Sequence, residues 1–194
     1  MEPGIFTGLF QKTIKMVIAV GSLFYSSIDG IKADFSSLDI GVSQNVVIVS
    51  TQLINCYSDD LDQIFKSGER VTIHYKLELY SDQNVKAIFR NTFSHSIRYS
   101  LLDKTYDVFK SEFETVQIGL DIVEAKYELS LLNSIPTIGV AELNGDSNYY
   151  FQISAWMDDI QLRGMEKRLN LMYYWSSIRP VNKSSNFNNM ISIQ

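Results

Sequence analysis

Apolar and polar residues alternate most regularly over 70–80, where Val71, Ile73, Tyr75, Leu77 and Leu79 share one parity and Arg70, Thr72, His74, Lys76 and Glu78 the other. A period of two predicts a strand with one buried and one wetted face, the habit of antiparallel sheets. The same period returns at Tyr149, Phe151, Ile153, Ala155 and Met157, and in a long run over 85–101 that keeps Phe93, Ile97, Tyr99 and Leu101 in register. A strand of that length should bend or carry a bulge. Shorter extended runs are expected at 35–42, 45–53, 106–109, 129–132, 137–143 and 169–175, with Pro136 favouring an edge.

Two stretches depart from alternation. Ser58 precedes Asp59 and Asp60, Gly68 closes the run, and Leu61, Ile64 and Phe65 fall on one side, which predicts a capped two-turn helix lying on the sheet. Phe113, Val116, Leu120, Val123 and Tyr127 recur at helical spacing and predict a second helix over 113–127 in spite of Gly119. No βαβ period or internal repeat emerges. The expected fold is mainly β: an antiparallel β-sandwich or open barrel of about eight strands with two short helices packed on it.

At the N-terminus, Lys12 and Lys15 precede an apolar run over 16–25, and Ser26, Ser27, Gly30 and Ala33 follow. This order of positive, apolar and small residues is that of an export signal. The run is about half the length that spans a bilayer, so a signal peptide cut after Ala33 fits better than a stable transmembrane helix, with an uncleaved anchor as the alternative. The expected layout is a signal peptide or membrane anchor over 1–33, a β-sandwich-like domain over 34–180 and an Asn/Ser-rich, frayed tail over 181–194. The domain is then exported, either periplasmic or membrane-anchored facing the extracytoplasmic side.

Composition adds three constraints. Aromatic residues make up 12% of the 194, a bias that suits a pleated, half-buried surface. The net charge is −5, and removing 1–33 takes away three basic and two acidic residues to leave −6, so nucleic acid, which needs a basic stripe, is not an expected partner. A single cysteine, Cys56, excludes an internal disulfide and any paired-cysteine metal knuckle.

The run Leu61 to Gly68 leading into Val71 to Tyr80, the stretch Ile97 to Val108, and the closing runs Tyr149 to Leu162 and Leu169 to Trp175 resemble, in order and spacing, segments of the domain-of-unknown-function 4390 family of uncharacterised bacterial proteins. The resemblance covers roughly 35–180. It implies a location in the bacterial envelope and brings with it no activity, cofactor or catalytic residue. The Asn-rich tail and the weak early strands depart from the family pattern.

Candidate chemistry is sparse. His74 lies on the polar parity of its strand and is expected to be solvated, whereas His95 shares the parity of Phe93 and Ile97 and is expected to be semi-buried and satisfied. Asp59, Asp60 and Asp62 are explained by helix capping, and Asp158 and Asp159 by a strand end. No zinc-protease or nucleophile-elbow motif is present, and neither a metal nor another cofactor is expected. An enzyme would require His95 or the paired aspartates, with Glu142, to meet in one pocket. The aromatic residues carry more information, because Tyr150 and Trp156 fall on the face opposite Phe151 and Ile153. With Tyr174 they are the candidates for contact with a ligand or partner. The sequence therefore favours a noncatalytic extracytoplasmic envelope protein that acts as a protein-binding module with an envelope or membrane protein as partner. The alternative is a carrier for a lipid or other apolar ligand held between sheet and helices.

Overall fold

The computed structural model describes residues 31–188; the expected export segment up to residue 30 lies outside them, as do 189–194. The alternating runs become β1 (Asp34–Phe35), β2 (Asp39–Ser43), β3 (Val46–Ile54), β4 (Val71–Ser81), β5 (Asn84–Ser100), β6 (Thr105–Lys110), β7 (Thr115–Leu120), β8 (Leu131–Gly139), β9 (Tyr149–Met157) and β10 (Val181–Lys183). Helix α1 (Asp59–Phe65) lies between β3 and β4, and α2 (Ile122–Ser130) between β7 and β8.

All pairings are antiparallel. The large sheet has the order β10-β9-β4-β5-β6-β7, and in the small one β3 pairs with β1, β2 and β8. The parity read from the sequence holds: Val71, Ile73, Tyr75, Leu77 and Leu79 of β4 are fully buried, and so, within a few per cent, are Phe151, Ile153, Ala155 and Met157 of β9. From the small sheet Val47, Val49 and Leu53 join the same core, and Phe35 meets Tyr75 edge-on with ring centroids 6.4 Å apart. Two antiparallel sheets thus enclose one core in the manner of a sandwich, with no closed barrel among the described residues.

Helix α1 follows its sequence signals. Ser58 accepts the Leu61 N–H, and Leu61, Ile64 and Phe65 are buried, a burial that contributes about 1.5–3 kcal/mol for each side chain. Gly68 takes φ +82° just beyond the helix, where a side chain would strain the backbone. The β2–β3 turn is built from Gln44 and Asn45, both at positive φ, the condition for a type I′ hairpin.

Several expectations are corrected. The helix read over 113–127 is a strand followed by a helix. β7 pairs with β6 up to Leu120, Gly119 adopts φ +76°, and only then does Asp121 start α2 with a reciprocal capping box to Glu124. The apparent helical stripe is mostly exposed, since Val116, Val123 and Tyr127 face solvent while Ala125 and Leu129, one turn apart, form the buried side. Two short segments read around Pro136 form one strand, β8, in which Pro136 pairs with Ile48. The run expected to be extended at 169–175 is instead a 3-10 turn over Leu171–Trp175. The tail expected to fray adds β10 to β9, and Phe187 stacks on Phe151 at 5.6 Å.

Candidate functional site

The face of the large sheet turned away from the core is a grid of polar and aromatic side chains whose rows are set by strand register. One row runs Lys183, Gln152, Glu78, Arg90 across β10, β9, β4 and β5. The next runs Val181, Ser154, Lys76, Thr92, and a third places Trp156 beside His74 and Ser94. At the other end Tyr150 lies opposite Tyr80.

Two pairs of aromatic rings stack across strands on this face. His74 stacks on Trp156 at 5.2 Å and 15°, and Tyr80 stacks on Tyr150 at 5.3 Å and 14°. Each outer ring also carries a cation, with Arg179 over Trp156 at 5.2 Å and Lys183 over Tyr150 at 5.0 Å. His74, read as solvated, is bonded to Asp158 at 2.7 Å. Glu78, only 2% exposed, receives Lys76 at 2.9 Å and Arg90 at 2.8 Å. Burial opposes its charge, but the hydrogen bonds and charges of Lys76 and Arg90 outweigh that and hold its pKa below the usual carboxylate value. Its share of stability is therefore present above the ordinary carboxylate range and is lost as pH falls through the lowered pKa.

Of the three aromatic candidates, Tyr150 and Trp156 are half-buried on this face. Tyr174 is elsewhere: the 3-10 turn carries it into the core at 1% exposure, its hydroxyl without a hydrogen-bond partner. Burial, and then the charge of Asp60, push that phenol up to about 12. Arg179 and Lys183 were not legible as members of the site, because their stretch read as a loose tail.

A second polar cluster lies on the opposite, inner face. His95 is fully buried; its Nδ1 donates to the Leu129 carbonyl at 2.9 Å, and its Nε2 is 2.7 Å from Glu112 Oε1. Tyr75 donates to the same carbonyl at 2.9 Å, and burial drives its phenol pKa well up, with the charges of Cys56 and Glu112 adding to the rise. Tyr57 reaches the Lys126 carbonyl, and Lys110 reaches Glu128 and the Leu131 carbonyl. The last turn of a helix leaves carbonyls without intrahelical donors, and for Leu129 the sheet supplies two, from Tyr75 and His95. This accounts for a buried histidine by helix docking. Cys56, also buried, has its thiol pushed up to about 12, chiefly by desolvation.

The acid/base candidates do not converge. His95 and Glu112 face the core, whereas His74 and Asp158 face outward across the same sheet. Asp62 pairs with Lys126, and among the described residues no group of three or more His, Cys, Asp or Glu side chains is placed to hold a metal ion. Nor is any helix there long and apolar enough to cross a membrane.

Comparison with the curated proteins and with the solved structures finds no match. The family model described as Domain of unknown function (DUF4390) matches residues 32–172, which take in the strands from β1 to β9 and both helices. By that match over most of its length, the chain belongs to the domain of unknown function 4390 family.

Proposed function

We propose that this protein is a noncatalytic, extracytoplasmic envelope protein that binds another protein through the outer face of its large sheet. The observation that supports this is the row of stacked aromatics beneath cations, Trp156 under Arg179 and Tyr150 under Lys183. Tyr, Trp and Arg are the residues in which binding energy concentrates, and this face gathers all three on rigid strands. A carrier role has less support, because the space beneath α2 is filled by Tyr75, His95, Ala125 and Leu129.

Trp156→Asp is expected to weaken partner retention by about tenfold or more, the scale of a hot-spot loss, with a melting shift far smaller than that of Ile153→Asp on the core side. A photo-crosslinking side chain at position 150 should join the protein to one discrete partner in cells, and the same group at the exposed Tyr173, on the 3-10 turn, should not. Equal adducts from both positions, or none, would sink the reading.

The location is tested separately. Residues 1–40 fused to a reporter active only outside the cytoplasm should yield activity, because Lys12 and Lys15 lead into an apolar run in the order export requires. A silent reporter removes the extracytoplasmic assignment and leaves the binding face untouched.

A further inference from the structure

We propose that the outer face of the large sheet recognises an extended acidic segment of its partner, with carboxylates six positions apart; this rests on the reading of that face as the binding surface. The chain carries −5, yet on this face Lys76 and Arg90 share the single carboxylate of Glu78. Arg179 and Lys183 lie over rings, with no carboxylate within ion-pair distance among the described residues. Against these four cations on the β10-to-β5 part of the face stand Glu78 and Asp158, the latter bonded to His74, while Asp107 lies further across, on β6, opposite Arg98. A cation held on an aromatic face is positioned without being neutralised, so it remains attractive to an incoming anion.

The spacing selects an extended chain. Lys183 lies over Tyr150 and Arg179 over Trp156, six residues further along the same strand, a separation of roughly 20 Å. Side chains at i and i+6 of an extended peptide stand on one face at the same separation. Nucleic acid would need several more phosphate contacts than this face offers. A stable hold on anionic lipid takes a denser basic cluster of about four to eight unpaired residues.

The test uses the purified full chain and short fluorescent β-prone peptides bearing either glutamates or glutamines six positions apart, followed by anisotropy. The glutamate peptide should bind about tenfold more tightly than the glutamine one at low salt. That advantage should shrink several-fold on going from about 0.05 to about 0.3 M salt, and should vanish in the double variant Arg179→Gln/Lys183→Gln with an unchanged melting temperature. Equal binding of both peptides, lost in Tyr150→Asp, would overturn the acidic specificity while leaving the binding face standing. Binding of neither peptide, with a partner still captured by the crosslinker at position 150, would do the same. Retention on phosphatidylglycerol vesicles in place of the glutamate peptide would overturn the proposal in favour of a lipid surface. Failure of the crosslinker and of both peptides would remove the face itself.

Discussion

Glu112→Ala should lower the melting temperature by about 6–20 °C, the consequence of a loss of about 3–5 kcal/mol when one member of a buried pair is removed in a domain of this size. Glu112 is 3% exposed and His95 is not exposed at all. The imidazole faces two oxygens; since a carbonyl only accepts, Nδ1 carries its hydrogen toward Leu129, and the Nε2–Oε1 contact holds one more hydrogen between ring and carboxyl. Deleting the carboxyl leaves Nε2 in the core with no partner. The double variant His95→Leu/Glu112→Leu should be far less destabilised than the sum of the single changes, because an apolar pair of similar volume asks for no hydrogen bonds. The starting pair is itself imperfect, since Glu112 Oε2 is buried without a partner. Thermal melts of the four proteins check this, and additive losses would show that the two residues stabilise the fold independently.

The second large effect is expected from Leu77→Asp, which should abolish the cooperative melt, whereas Ser154→Asp should change stability by less than about 1 kcal/mol. Leu77 is fully buried at the centre of β4 between β5 and β9, where an unpaired carboxylate cannot be solvated. The loss is of the same order as the whole stability of a typical domain. Ser154 lies on the outer face beside Lys76, a neighbour that favours an added carboxylate. Circular dichroism melts of both variants suffice, and a soluble, cooperative Leu77→Asp protein would contradict the assignment of faces.

These two expectations differ in how far the sequence alone could reach them. The inward parity of Leu77 follows from alternation over 71–79, because a half-buried strand has no other way to satisfy its side chains. The role of Glu112 does not, since it sits in a polar turn between Ser111 and Phe113 and reaches its partner only after β5 and β6 place Lys110 beside His95. Val116 and Val123 read as helical because spacings of three and four were counted across the end of β7; the capping pair Asp121 and Glu124 was the local signal that the helix starts later. The candidate site divides in the same way. Tyr150 and Trp156 follow from parity on β9, but Lys183 ends, and Arg179 just precedes, a strand only three residues long, too short for any periodicity to reveal. Tyr174 misled because a 3-10 turn, unlike a strand, does not hold alternate residues on opposite faces.

The strand order also fixes a timetable for a chain that emerges from its N-terminus. β4 finds β5 at once through a tight hairpin, and β6 and β7 follow as a meander, but its other edge belongs to β9, whose last residue, Met157, lies 76 positions beyond Ser81. At roughly 5–20 residues per second that edge stays unpaired for about 4–15 s. During that interval it offers a row of open N–H and C=O groups, flanked by the apolar face of Val71, Ile73, Tyr75, Leu77 and Leu79, to any other chain nearby.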